Sequence, residues 1–118
     1  MPPPQLPNYL RSNRKRLVLS QDEVAFLLGT QSGTRVCRDE RFNREPSLKT
    51  ALAYEAIFRK PVHDLFKGLS KKIEGEIVGR AKTLARRIKK LKHDRLKARK
   101  LKAVEDIMAA LSHKSNRH

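Results

Sequence analysis

Cysteine occurs once in the 118 residues, at Cys37, which excludes an intrachain disulfide and a cysteine-built zinc cluster. Long apolar runs are also missing. The longest, Val24 to Leu28 and Ile107 to Leu111, fall far short of the roughly 20 residues that a bilayer requires. The N-terminus has no signal-peptide pattern, so the expected location is the cytoplasm, without a membrane partner. Acidic side chains are scarce: 12 against 28 basic ones, for a formal net charge of +16 and a pI near 10.7. Polyanions are the partners such a balance selects.

The residues of catalysis are missing as a set. His63, His93, His113 and His118 have no metal-ligand spacing among themselves or with carboxylates, and are expected to be exposed. Glu74 and Glu76 lie two apart and Glu105 and Asp106 are adjacent, so neither pair shares a helix face. There is no nucleophile with a base and no phosphate loop, so an enzyme is not expected and no cofactor is implied.

What the sequence does hold is concentrated in Leu19 to Pro46. Ser20 precedes an apolar run with Glu23 three residues on, the pattern in which hydroxyl and carboxylate cap each other's backbone donors. Val24, Ala25 and Leu28 then share one face, and Gly29 offers the cheapest left-handed stop. Ser32 can cap a second helix carrying Val36 inward and ending near Arg41 or Phe42. Its outward face would present Gln31, Thr34, Arg35 and Arg38. Arginine reads guanine, glutamine reads adenine, and hydroxyls and amides reach backbone oxygens.

Upstream, Asn8 can cap a helix running through Leu17, with Tyr9 and Leu10 inward. Arg14, Lys15 and Arg16 would then point outward, either to phosphate or simply to water. Downstream, Ser47 caps Leu48 to Phe58, with Leu48, Leu52, Ile57 and Phe58 close to helical spacing. Pro61 starts a short helix that returns Val62, Leu65 and Phe66 to the core, and Gly68 is expected to break the chain.

The order LSQ-x-E-V-A-x-L-L-G, a turn, V-C-R-D-E-R, then P-S-L-x-T-A-L-A resembles the Cro and repressor-type helix-turn-helix DNA-binding proteins, the xenobiotic-response-element family. The resemblance covers roughly Asn8 to Phe66. It implies an all-α, five-helix lambda-repressor-like domain whose second helix positions the protein and whose third, around Ser32 to Arg41, enters the major groove. By matching position it implies that Gln21 contacts the DNA backbone and that Gln31, Ser32, Thr34, Arg35 and Arg38 belong to the reading helix or its entry; Arg44 is also expected among the DNA-binding residues. Glu40 matches an acidic residue that more often serves as an internal partner. This chain departs from the family twice: one extra residue sits in the turn near Thr30 and Gln31, and Phe42 stands where the family usually has glycine. Cys37 occupies a position where the family often has a small serine, and is read as a small packed residue.

The organisation expected is a flexible Pro-rich arm over 1–7, the DNA-binding domain over 8–68, a long basic amphipathic helical extension over 69–112, and a flexible tail over 113–118. Residues 1–70 carry 12 basic and 7 acidic groups, and 71–118 carry 16 and 5, so most of the excess charge lies in the extension. There Ile73, Ile77, Ala81, Leu84, Ile88 and Leu91 form one apolar seam, and Leu101, Val104, Met108 and Leu111 a second. A bend is expected between Lys92 and Arg95, where Asp94 can cap a new helix.

Such a seam suits homodimerisation through the C-terminal helices. Arg86, Arg87, Lys89, Lys90, Lys92, Arg95 and Lys97 equally suit a basic clamp on DNA or RNA, and a solvated charged helix is the third option. Phe26 and Leu27, large and apolar at positions that face solvent in most of the family, are expected to be covered by the C-terminal helix or a second subunit. The function expected is a double-stranded DNA-binding transcriptional regulator, a repressor since no separate effector domain is present. The alternative is an antitoxin or similar protein-interaction partner that also regulates its operon, its C-terminal helices binding another chain. A nucleoid-like or RNA-binding module comes third.

Overall fold

The computed structural model describes residues 8–42 and 45–115, so the arm over 1–7, Arg44 and residues 116–118 lie outside it. Among the described residues the chain is all-helical, with seven helices and no strand. It divides into two compact units, Met1–Ser70 and Lys71–His118.

The first unit contains α1 (Leu10–Arg16), α2 (Gln21–Leu28), α3 (Thr34–Glu40), α4 (Leu48–Phe58), α5 (Val62–Leu65) and the start of α6 (Lys67–Lys89). Short helices depend on their ends, and here the ends are tied. Ser20 Oγ accepts from the Glu23 N–H at 3.0 Å while Glu23 Oε1 accepts from the Ser20 N–H at 2.8 Å, a complete capping box. Gly29 closes α2 at φ +81°. Ser47 Oγ accepts from the Thr50 N–H at 3.2 Å at the start of α4.

These helices close over Leu10, Val24, Ala25, Val36, Ala51, Tyr54, Phe58, Leu65 and Phe66. Tyr54 is central: its ring stacks on Phe58 at 5.8 Å and meets Phe66 edge-on at 6.3 Å. The inward face of α4 is thus Ala51, Tyr54 and Phe58 rather than the expected Leu48 and Leu52, which are exposed. Small Ala51 lets α4 approach its neighbours, whereas leucine at 48 lies on the solvent side of the cap. Tyr9, expected inside, is about half exposed, and only Leu10 of that pair is buried.

Three further expectations change. Gly68 does not break the chain, since it lies inside the first turn of α6. His63 is half-buried and its Nδ1 is hydrogen-bonded to the Ser70 hydroxyl, so it is not a solvated histidine. Phe26 and Leu27, expected to be covered, are 82% and 55% exposed.

Phe42 adopts a backbone conformation that favours glycine. Its φ of +52° is left-handed, which costs an L-residue about 1–2 kcal/mol. Its ring packs on the core at 6.3 Å from Phe66, and that burial offsets the strain.

In the second unit α6 and α7 (Arg95–Ser115) fold back on each other as an antiparallel hairpin. Ala81, Ala85, Ile88 and Val104 are buried together, with Leu101 and Met108 packed against them. The two apolar seams therefore cover each other in part within one chain. Ile73, Ile77, Leu84 and Leu91 stay 39–51% exposed. The break falls where expected: Asp94 Oδ1 accepts from the Lys97 N–H at 2.8 Å and caps α7, which continues past the expected end at Ser112 to Ser115.

Tyr54 makes a pH-dependent contribution. Burial first, then its hydroxyl donating to Asp39 Oδ2 at 2.6 Å, raise the phenol above its ordinary value of 10.0. Above that pH the unfolded chain ionises Tyr54 while the folded chain retains the proton, so stability falls as pH rises. Tyr54→Phe should cost about 1–3 kcal/mol at pH 7 by leaving a buried carboxylate without its donor. Its urea midpoint should also decline less than the wild type's between about pH 9 and pH 11, the range that brackets the unfolded phenol's titration. Parallel declines would remove Tyr54 as the source.

Candidate nucleic-acid interface

The surface of interest is built around α3. Three of its residues face inward: Val36 is fully buried, Asp39 holds Tyr54, and Glu40 reaches back between α1 and α2. With about 100° between successive residues, the others, together with Arg41 at the C-cap, form a contiguous outward arc in the angular order Cys37, Arg41, Thr34, Arg38 and Arg35.

Glu40 fixes the orientation of this arc. Its Oε2 accepts from Arg14 Nε at 2.6 Å, and its Oε1 accepts from Arg14 Nη2 and from Gln21 Nε2, each at 3.2 Å. Arg14 also donates through Nη1 to the Leu19 carbonyl at 3.0 Å, tying the α1–α2 connection into the same cluster. The side chains of Arg14 and Glu40 are only 11% and 6% exposed. Arg14 is therefore an internal tie rather than an outward phosphate contact, and the hydrogen bond to Glu40 raises the already high pKa of its guanidinium. At the same end of α3, Asn8 Nδ2 donates to the Asp39 carbonyl at 3.1 Å.

The start of α3 differs from expectation. Ser32 does not cap it. The N-cap is Gly33, whose N–H donates to Asp22 Oδ1 of α2 at 2.8 Å, and the helix begins at Thr34. The Gly29–Gly33 connection is therefore anchored from across the motif. A Cβ on Gly33 would lie 2.7 Å from Asp22 Oδ1, 2.9 Å from Gln21 Cβ and 3.0 Å from the Gln21 backbone carbon, so only glycine lets the two helix starts approach this closely.

The expected site residues divide accordingly. Gln21 lies at the start of α2 beside α3, with one amide hydrogen donated to Glu40 and a second still available. Gln31, Ser32 and Thr34 are exposed at the α3 entry. Arg38 is exposed and makes no hydrogen bond or ion pair with another described residue. Arg35 is also exposed, but its Nη2 donates to Thr50 Oγ1 at 2.8 Å, which draws it to the α4 flank of the arc. Arg44 lies outside the described residues.

Two adjoining grooves run along this surface and share Ser20, Gln21 and Cys37. One is lined by Asp22, Ser32, Gly33 and Thr34, and the other by Arg11, Arg14, Glu40 and Arg41. Arg11 and Arg41 line this surface although the motif does not single them out. Arg41 does carry a signal, its position seven residues after Thr34, two helical turns along the same face. Arg11 has no local signal, because only the fold brings α1 to that groove. Cys37, half-buried, lines both grooves.

No family model matches the chain, and no curated protein or solved structure matches it. Among the described residues there is no group of three or more His, Cys, Asp or Glu side chains able to hold a metal ion, and no helix long and apolar enough to cross a membrane.

The close approach at Gly33 is testable against a matched change. Gly33→Ala should destabilise the fold by about 1–3 kcal/mol through overpacking. Gly75→Ala, in open space within α6, should stabilise by roughly 0.5–1 kcal/mol through helix propensity. Chemical denaturation of both variants decides it, and a Gly33→Ala as stable as the wild type would refute the packing argument.

Proposed function

We propose that this chain is a helix-turn-helix regulator of transcription that binds double-stranded DNA sequence-specifically, with α3 in the major groove and α2 positioned over the backbone. The observation that carries the reading is the outward arc of α3, Cys37, Arg41, Thr34 and Arg38, held rigidly beside the N-terminus of α2 by Glu40 and Asp22. A reading element needs donors fixed in direction, because base discrimination is lost if the side chains cannot be presented in register. The net charge of +16 supplies the sequence-independent attraction.

The motif order supports membership in the xenobiotic-response-element family. Repression is the mode of regulation proposed, since a domain seated in the major groove excludes other proteins from the site it covers. Homodimerisation belongs to the proposal in reduced form. Ala81, Ala85, Ile88 and Val104 are occupied within the hairpin, so a second copy would meet the exposed Ile73, Ile77, Leu84 and Leu91. Phe26 and Leu27, large and exposed on α2, favour a second reading in which the chain also binds another protein, as an autoregulating antitoxin does.

Selection from a random duplex library at about 150 mM salt, where phosphate-only binding is already weak, tests the proposal. The full chain should enrich a defined motif, palindromic if two copies bind. Arg38→Ala and Arg41→Ala should each cost about 1–3 kcal/mol on that motif and relax one base position, while Arg35→Ala, already tethered to Thr50, should relax specificity less. Enrichment of no motif, or equal losses on selected and random DNA for all three variants, would defeat the reading of α3.

A further inference from the structure

The hairpin brings together at its tip a cationic surface that the α3 reading does not use. From Arg86 to Lys97 stand seven basic side chains and one acid, Asp94. Packing of Ile88 against the α7 residues Leu101 and Val104 holds the last turn of α6 beside the first turn of α7. Charges spread along two helices are thus gathered around one turn.

The contrast with the rest of the hairpin is informative. Away from the tip, two of the cations have acidic partners at helical spacing: Arg80 with Glu76 at 3.8 Å and Lys102 with Asp106 at 3.2 Å. At the tip, Arg86, Arg87, Lys89, Lys90, Lys92 and Arg95 are all exposed, and none forms an ion pair with another described residue. The single acid is committed, since the Asp94 carboxylate caps α7 through the Lys97 N–H. Lys97 is committed as well. Its Nζ donates to the Lys89 and Leu91 carbonyls, each at 3.0 Å, covering the negative end of α6 that would otherwise oppose an anion at the centre of the patch. Six mutually repelling cations therefore surround a helix end whose own negative potential has been neutralised, an arrangement complementary to a line of phosphates.

We propose that the α6–α7 tip is a second, sequence-independent docking surface for the phosphate backbone of duplex DNA, with Lys89, Lys90 and Lys92 at its centre and Arg86, Arg87 and Arg95 around them. The choice of duplex DNA as the polyanion rests on the reading of α3; the surface itself does not. By this division the tip sets affinity and salt dependence, and α3 sets sequence preference.

The full chain is compared with Lys89→Gln/Lys90→Gln/Lys92→Gln, with a Lys→Arg triple at the same positions, and with a charge-matched control, Lys71→Gln/Lys72→Gln/Lys82→Gln. Binding to a random-sequence DNA duplex, and in parallel to a duplex RNA, is titrated against salt, and helicity is checked by circular dichroism. Every phosphate that a variant no longer neutralises takes about 0.9 from the slope of log affinity against log salt, so the slope of the tip triple should fall by between about one and 2.7 units. The Lys→Arg triple should retain the slope, and the control should move it by less than half as much as the tip triple. The tip triple should weaken selected and random duplexes by the same factor. An unchanged slope, an equal fall in the control, or a fall seen only with duplex RNA would overturn the proposal. Failure of the α3 reading would appear separately, as equal affinity for selected and random duplexes by the unmodified chain, with the tip's effect on slope intact.

Discussion

Glu40 accepts hydrogen bonds from two helices at once, and the first unit depends on that convergence. One carboxylate receives Arg14 through two nitrogens and Gln21 through its amide, so α1, α2 and α3 share a single nearly buried anchor. A buried charge is costly unless every lone pair is used, and removing either arginine or glutamate would leave the other unpaired in a low-dielectric site. The cluster's value therefore lies less in net stability than in orientation. It fixes the roll of α3, and with it which residues of that helix face solvent.

The opposite end of α3 is fixed by different chemistry. Asp22 caps Gly33 across the motif, and Gly33 allows the approach because it has no side chain. A seven-residue helix would be marginal in isolation. Here it is secured at its first residues by an α2 carboxylate and at its last by Asn8 and Glu40, so its outward arc is presented by a frame rather than by intrinsic helicity. The exposed Arg38 and Arg41 project from a backbone that is already fixed at both ends.

Local features were the legible ones. The Ser20 box, the Gly29 stop, the Ser47 cap and the Asp94 cap are each written within four residues, so their spacing alone predicts them. The Gly33 cap comes from a residue eleven positions away and the Arg14 tie from one twenty-six away, and no window along the chain shows either. Arg14 looks like its basic neighbours Lys15 and Arg16 until the fold places Glu40 beside it. On α4, hydrophobicity favoured the leucines, but Ala51 and Tyr54 pack because close approach and a hydroxyl reaching Asp39 outweigh side-chain size. Gly68 failed as a stop signal because α6 carries Leu69 onto the core, and burial there outweighs the roughly 1 kcal/mol a helical glycine costs.

The extension illustrates how a seam can be read from sequence while the chain that covers it cannot. A periodic apolar stripe states that a helix has a face to bury, and says nothing about which chain buries it. The capped turn at Asp94 returns α7 along α6, and the cheapest partner becomes the next helix, since closing a short loop costs far less entropy than recruiting a second molecule. That same economy concentrates the charge. Folding the helices together shortens the span over which their cations are spread, and the single acid near the turn has been drawn into capping. The surplus positive potential at the tip is a consequence of how the hairpin closes.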